Sequence, residues 1–125
     1  MIQKILKDFL LEINQDDNWV ELVLEIELQP AYFGISGYCI NDRIKEISLR
    51  TRTNHDFDKN IKDYHLNNSD KENRWNKIKF SLKNSIEESL SLIWDQTWQN
   101  EIDKLNIEAK KKNTEYNLPK WHWEA

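Results

Sequence analysis

The chain has 125 residues, of which 38% are hydrophobic and 32% are charged, and its formal net charge at pH 7 is −4. A chain of this length and balance is most simply one folded domain with a polar surface, which excludes disordered and fibrous proteins. The single cysteine, Cys39, excludes an internal disulfide, and no secretory leader or transmembrane-length apolar run is recognisable, so we expect a cytoplasmic protein with no membrane partner.

The first predicted element is an amphipathic helix. Apolar residues recur at helical spacing between Ile2 and Ile13, with charged residues between them, so one apolar stripe can lie against a sheet. The polar stretch at residues 14–18 then ends the helix and turns the chain toward the next element.

Residues 18–28 alternate between apolar and polar side chains, which is the period of a strand with one buried face. The apolar row holds Val20, Leu22, Leu24, Ile26 and Leu28, and the opposite row includes three carboxylates, Glu21, Glu25 and Glu27. A helix would scatter the apolar set around its circumference. We therefore predict that this stretch is the central strand of an antiparallel sheet.

Two further strands are predicted before residue 54. Pro30 ends the central strand because it has no backbone N–H, and a second strand follows over residues 31–40. The glycines Gly34 and Gly37 inside the second strand indicate a bulge or a close backbone approach. The third strand, residues 43–53, alternates irregularly, which favours an edge position or a bulge.

Residues 54–68 are predicted as a loop followed by a short helix. Residues 75–94 allow two interpretations, which are one long helix with a capping motif at Ser69 and Glu72, or two strands joined by a turn at residues 83–87. The helix would run for more than about forty continuous residues, which is far longer than a typical helix, and it would place Phe80 on its polar side. We therefore prefer the hairpin.

A last helix is predicted to start near Asp95, a good N-cap, with Trp98, Ile102, Leu105 and Ala109 as its apolar stripe. Residues 113–125 then form the C-terminal tail of a single domain that covers residues 1–125. The element order is therefore helix, three strands, helix, two strands, helix. This order predicts an α+β fold in which helices cover an antiparallel sheet of about five strands.

The tryptophans are predicted to serve mainly in packing. Trp94 and Trp98, at the junction of the last strand and the last helix, should lie in the core. Trp121 and Trp123 alternate in the tail, so in an extended tail one ring would anchor the tail and the other could be exposed to a partner. A tail docked on its own domain is the alternative, and it is the one we favour.

The sequence carries no recognisable catalytic motif. The histidines His55, His65 and His122 are scattered without metal-ligand spacing, and Gly-rich phosphate loops, nucleophile elbows and paired CxxC motifs are missing. An enzyme would instead require these histidines, Cys39 and several carboxylates to meet in one pocket. We therefore expect a protein that is not an enzyme, with no catalytic residue, cofactor or metal.

The charge is distributed unevenly along the chain. Residues 1–42 hold eight acids and two lysines, a net charge of −6, whereas residues 43–125 have a net charge of +2. A concentrated negative surface disfavours nucleic acid as a partner and favours a basic protein. The same acidic residues are equally compatible with a solvated face that only keeps the protein soluble.

Several stretches together resemble small bacterial immunity proteins. The segment IWDQTWQNEIDKLN and the tail ending PKWHWE are similar to the C-terminal part of these proteins, which accompany polymorphic toxins, including those of contact-dependent growth inhibition. The WNKIKFSL segment and the NWVELVLEIE strand are similar in kind and order, so the resemblance covers most of the chain. It implies a non-catalytic protein that binds a toxin domain in the cytoplasm and blocks its active site or its access to substrate.

Many toxins of such systems are basic nucleases, which agrees with the acidic first third of this chain. The resemblance transfers no contact positions, so the candidate site rests on the residues alone. We place it on five carboxylates with three aromatic residues as candidate anchors: Asp16, Asp17, Glu21, Glu25, Glu27, Tyr32, Tyr38 and Trp123. The expected partner is a cognate toxin domain, and the protein itself is expected to be a monomer or a weak dimer.

The alternative class is a type III secretion chaperone. The chain resembles those proteins in size, in acidity and in the order of its elements. Such chaperones dimerise and wrap an extended effector segment over apolar grooves. Sedimentation separates the two classes, because an obligate dimer without a partner favours the chaperone.

Overall fold

The computed structural model describes residues 2–84 and 86–124. Within them the chain forms three helices and five strands, and their order confirms the α+β prediction. The elements are α1 (Ile2–Ile13), β1 (Trp19–Gln29), β2 (Tyr32–Asn41), β3 (Glu46–Ser48), α2 (His55–Asn68), β4 (Lys77–Lys83), β5 (Glu87–Ile93) and α3 (Gln96–Lys112).

The five strands form one antiparallel sheet in the order β3-β2-β1-β4-β5, which confirms β1 as the central strand. The chain turns sharply between β1 and β2, so that Gln29 pairs with Tyr32. The β1–β2 register shifts between Trp19 and Glu21, at the start of β1. The bulge therefore lies at this end of the strand, away from the glycines of β2.

One face of the sheet is covered by α1 and α2, and the core lies between these layers. Leu22 and Leu24 of β1 are fully buried there, as are Leu6 of α1 and Ile61 of α2. The rings of α1 and α2 also meet directly, because Phe9 stacks on Phe57 with a centroid distance of 4.3 Å. Each fully buried Leu or Ile side chain stabilises the fold by about 1.5–3 kcal/mol. We call this the helical side of the sheet.

Two elements differ in length from the prediction. The loop before α2 covers residues 49–54, and the helix starts at residue 55, where the side chain of Asn54 caps it by accepting a bond from Phe57 N at 2.8 Å. Strand β3 is shorter than residues 43–53. Its first predicted residues form a turn in which Ile44 has a φ of 57° and Asn41 Oδ1 accepts bonds from Arg43 N and Lys45 N.

The hairpin interpretation of residues 75–94 is confirmed, and the long helix is wrong. Ser69 caps the C-terminal end of α2, so it does not begin a longer helix. Asp95 is the N-cap of α3, as predicted, and its Oδ1 accepts a bond from Trp98 N at 2.9 Å. No helix of the described residues is both long enough and apolar enough to cross a lipid bilayer.

The two glycines of β2 both mark close approaches. A Cβ at Gly34 would lie 2.8 Å from Cζ of Tyr32, whose ring folds back over this residue. A Cβ at Gly37 would lie 3.1 Å from the carbonyl oxygen of Val23 on the neighbouring strand. The sequence-based expectation of either a bulge or a close approach is thus resolved in favour of the second.

Helix α3 packs differently from the other two helices. Its only buried side chain is Gln99, whose Oε1 accepts a bond from Gln29 Nε2 at 2.9 Å. Leu105, from the predicted apolar stripe, is 60% exposed. Trp94 packs against the core as predicted, but Trp98 lies outside it, with the Lys77 ammonium 4.9 Å from its ring centroid.

The tail returns to the helical side of the sheet. Trp121 is buried in the core, and its ring stacks on Trp123 with a centroid distance of 4.9 Å. The expectation that these two rings face opposite ways is wrong. It assumed an extended tail, whereas the chain turns here and Glu124 N donates to the Trp121 carbonyl at 3.0 Å.

Candidate functional site

The sheet has a second face, which carries polar side chains and which we call the open face. Side chains of a strand alternate between the two faces, so Glu21, Glu25 and Glu27 of β1 lie on the side opposite the core. Residues paired across strands share a face, which adds Tyr38 of β2 and Glu46 of β3. Five predicted site residues therefore come together on this face: the three glutamates, Tyr32 and Tyr38.

The open face is divided into an acidic half and a basic row. The strand residues of β1, β2 and β3 on this face include four carboxylates, and these three strands contain no lysine or arginine. On the other side of β1, three lysines of β4 stand directly opposite the three glutamates: Glu21 faces Lys83, Glu25 faces Lys79 and Glu27 faces Lys77. The predicted row of three carboxylates is therefore bordered on one side by a row of three lysines, which was not foreseen from the sequence.

The two rows do not form close ion pairs in the described part of the chain. The ammonium of Lys77 instead lies 2.7 Å from Asp95 Oδ2. Opposite charges directly across a sheet contribute only about 0.2–1 kcal/mol each. The glutamates consequently keep their carboxylates available to a partner, at the side of the face that borders β2.

Tyr38 reports the negative potential of this acidic half. Its pKa is raised from the ordinary value, first because the phenol is partly buried and then because Glu25, Glu21 and Glu46 surround it with negative charge. Tyr38 stands directly across from Val23, which is itself buried although it belongs to the open face. The phenol therefore remains protonated at neutral pH and can donate a hydrogen bond to a partner.

Helix α3 borders the open face at the end where β1 turns into β2. Its first turns contact Lys77 and Gln29, which both belong to the open face. Between this helix, the tail and the start of β2 lies a cleft of about 300 Å³, which we call the α3 cleft. Its apolar lining residues are Ala31, Tyr32, Ile102, Leu105, Tyr116 and Pro119.

Tyr32 connects the α3 cleft to the acidic half. It is 51% exposed, and it also lines a smaller cleft of about 160 Å³ that contains Glu25 and Glu27. Sequence reasoning identified Tyr32 as an anchor but missed Ile102 and Leu105, because it expected the helices to cover the sheet with their apolar stripes. The sequence did contain a signal, because α3 is mostly polar. Its apolar residues are too few to form the wide stripe that a helix needs to pack against a sheet.

Asp16 and Asp17 lie in the turn between α1 and β1, apart from the open face. They line a separate cleft of about 450 Å³ together with Cys39 and Arg50. Asp16 is used within the fold, since its Oδ1 accepts a bond from Asn18 N at 2.8 Å. Burial, and then the Asp16 carboxylate, raise the pKa of the Cys39 thiol, which keeps it protonated and unreactive at neutral pH.

Trp123 is separated from the open face by the sheet itself. It belongs to an aromatic cluster on the helical side, which we define as His65, Trp75, Trp94, Trp121, His122 and Trp123. The tail is therefore docked on its own domain. The geometry does not bring Trp123 together with the other predicted site residues.

Two of the three histidines meet in the aromatic cluster, with ring centroids 5.3 Å apart. His65 Nε2 lies 2.8 Å from the Trp75 carbonyl, and His122 Nε2 lies 2.8 Å from the Ser69 carbonyl. A carbonyl oxygen only accepts, so both nitrogens must carry a proton and donate. Burial lowers the pKa of His65, which keeps this ring neutral. Across residues 2–84 and 86–124, no three His, Cys, Asp or Glu side chains come together as metal ligands.

Comparison with known protein families gives no model that matches this chain. Comparison with curated proteins likewise gives no significant match.

Proposed function

We propose that this protein is an immunity-type binding protein that neutralises a basic toxin domain. The single observation that carries the proposal is the continuity of two surfaces through Tyr32. The acidic half of the open face offers carboxylates without an intervening base, and the α3 cleft beside it offers an apolar recess. The resemblance of the sequence to bacterial immunity proteins supports the same class.

The charges suit a toxin that acts on nucleic acid. A nuclease holds its substrate through Lys and Arg side chains, and the carboxylates of Glu21, Glu25 and Glu27 can pair with those groups in place of phosphates. Complementary charge also accelerates the encounter of the two proteins. A specific complex buries about 800 Å² on each partner, which the glutamate row alone does not supply. The α3 cleft adds the apolar contact area that such an interface requires.

The basic row of β4 restricts the orientation in which a basic partner can bind. A basic partner surface is attracted to the acidic half and repelled by Lys79 and Lys83 on the other side of β1. Repulsion of misplaced orientations is a source of specificity in protein complexes. The toxin domain is therefore expected to approach over β1, β2 and β3, toward α3.

We expect a toxin-like domain to be encoded beside this gene, and the test uses that domain as the binding partner. In the site variant, Glu21, Glu25 and Glu27 are replaced together by Gln. In the control variant, Glu12, Glu72 and Glu124 are replaced by Gln, because these three are exposed and lie outside the open face. Both variants lose three negative charges, so they differ only in where the charge is removed.

Binding is measured by calorimetry, and protection by growth of cells that express the toxin domain. At about 0.5–1 kcal/mol for each exposed ion pair, the site variant should bind roughly ten- to a hundredfold more weakly, and the control variant almost as well as the original protein. Thermal unfolding of both variants shows that they remain folded. Equal affinities for the two variants would remove the acidic half from the interface.

A further inference from the structure

Among residues 2–84 and 86–124, nothing pairs with the outer backbone edge of strand β5. It spans seven residues at the end of the strand order β3-β2-β1-β4-β5. The opposite edge is different, because β3 has only three residues. Natural proteins protect long edges with charged side chains, above all Lys, or with Pro or a bulge. The segment EESLSLI has no Lys or Pro, and its two charges are confined to its first two residues, where Glu88 pairs with Lys7 of α1 at 3.2 Å. The remaining part of this edge, residues 89–93, carries no charge and can pair with another strand.

The hydrogen bonds that flank β4 identify which backbone groups are free. Leu28 N donates to the Asn76 carbonyl, and Asn84 N donates to the Val20 carbonyl, each at 2.8 Å. Within β4, the even-numbered residues therefore point their backbone groups toward β1, and the odd-numbered ones point toward β5. Asn76, just before β4, departs from this pattern because its N–H donates to the Ile93 carbonyl of β5 at 2.8 Å. In the observed register, the odd residues of β4 pair with the odd residues of β5. The N–H and C=O groups of Glu88, Leu90 and Leu92 consequently point away from the sheet.

We propose that this edge pairs with β5 of a second copy of the chain, antiparallel and about a two-fold axis at Leu90. In this register Leu90 meets Leu90 of the second copy, Ser89 meets Ser91, and Glu88 meets Leu92. No like charges stand opposite each other, so the strand is complementary to itself, as an isologous interface requires. The pairing also covers Leu92 and Ile93, which are 39% and 40% exposed.

The resulting assembly is a continuous ten-stranded sheet with the helices of both copies on one side. Both open faces lie on the other side, and their acidic halves are at the two outer ends, away from the axis. The inference is therefore independent of the proposed function and compatible with it. One strand edge gives an interface of the smallest class, so the dimer dissociates on dilution.

Sedimentation of the full chain over a wide range of concentrations tests the pairing, with two variants at one position. Leu92→Glu places a second carboxylate opposite each Glu88, which already pairs with Lys7 of its own copy at 3.2 Å, and it should weaken dimerisation roughly two- to thirtyfold. Leu92→Lys is the matched control, because it removes the same side chain but places a lysine opposite each Glu88. This variant should dimerise at least as well as the original protein.

Amide hydrogen exchange supplies a readout at single residues. With rising concentration, the amides of Leu90 and Leu92 should become protected, whereas those of Ser89 and Ser91 are already bonded to β4 and should not change. The inference is overturned if the original protein stays monomeric at NMR concentrations, or if the two Leu92 variants dimerise equally. Protection that rises on β2 or β3 instead of β5 would also overturn it.

Discussion

Lys77 and Glu27 stand directly opposite each other on β4 and β1, yet the ammonium of Lys77 binds Asp95 and not Glu27. The Lys77–Asp95 ion pair has two consequences. It fastens the first turn of α3 to the end of the open face, and it leaves the Glu27 carboxylate in the cleft that also contains Tyr32. The position of α3 and the availability of the acidic half therefore depend on the same ion pair.

Asp95 supports α3 both as a cap and as an ion-pair partner, and two substitutions separate these roles. Asp95→Asn keeps an N-cap side chain but removes the charge, whereas Asp95→Ala removes both. The hydrogen bond from Lys77 is the main cause of the lowered pKa of Asp95. A lowered pKa means that the charged form stabilises the fold above the ordinary value of 3.8, and that this contribution is lost as the pH falls through the folded-state pKa.

We therefore expect the melting temperature at pH 7 to decrease from the original protein to Asp95→Asn and again to Asp95→Ala. The difference between the original protein and Asp95→Asn should shrink below pH 3.8. Thermal unfolding followed by circular dichroism measures both effects. A difference that stays constant with pH would show that the ion pair does not contribute.

Asn76 connects the start of β4 to the junction of β5 and α3. It is fully buried, its Oδ1 accepts a bond from Asp95 N at 2.8 Å, and its Nδ2 donates to the Asp95 carbonyl at 3.2 Å. Asn76→Ala leaves both backbone groups without these partners, and should lower the free energy of unfolding by about 1–3 kcal/mol. Urea denaturation measures the change. The exposed Asn100→Ala is the control, with an expected change within about 0.5 kcal/mol.

The fold could be predicted where apolar residues recur with a clear spacing, or where a good capping residue marks the end of a helix. The alternation of Leu22, Leu24 and Ile26 against Glu21 and Glu25 identified β1, and the capping chemistry of Asp95 located the start of α3. Such signals are local, so they do not require knowledge of what packs against the element.

The candidate site was harder to predict, because it depends on which strands become neighbours. Lys77, Lys79 and Lys83 are at least 50 residues away from the glutamates that they face, and only the pairing of β4 with β1 brings them together. The same limit applies to Leu105, since a helical stripe does not reveal whether anything covers it. Tertiary pairing, not local preference, thus determines the charge pattern of the open face.

Gly34 gives Tyr32 its position on the open face, so Gly34→Ala should disturb the ring but not the sheet. The new Cβ would overlap the Tyr32 ring, which can rotate away at small cost. We expect little change in melting temperature, altered chemical shifts of the Tyr32 ring, and weaker binding of the toxin domain. Gly37→Ala is the contrasting variant, because its Cβ would meet the backbone of Val23 and should destabilise the fold by about 1–3 kcal/mol. Equal stabilities of the two variants would contradict this account.

His65 should make the stability of the protein sensitive to mild acid. Burial, with a smaller effect of the neighbouring His122, lowers the pKa of His65 below its ordinary value of 6.5. The unfolded chain therefore binds a proton at a higher pH than the folded protein does. Stability from the neutral ring is fully present above pH 6.5, and it is lost progressively as the pH falls below that value. Protonation also charges a ring that packs against Trp75 and Trp121, so the tail should loosen.

The measurement is the melting temperature as a function of pH, together with tryptophan fluorescence of the aromatic cluster. The original protein should lose stability between neutral pH and pH 5, whereas His65→Gln, which can still donate to the Trp75 carbonyl, should lose less over the same range. His55→Gln is the control, because His55 is exposed at the start of α2 and its removal should leave the pH dependence unchanged. If His65→Gln and the original protein respond to acid in parallel, the titrating group lies elsewhere than in the aromatic cluster.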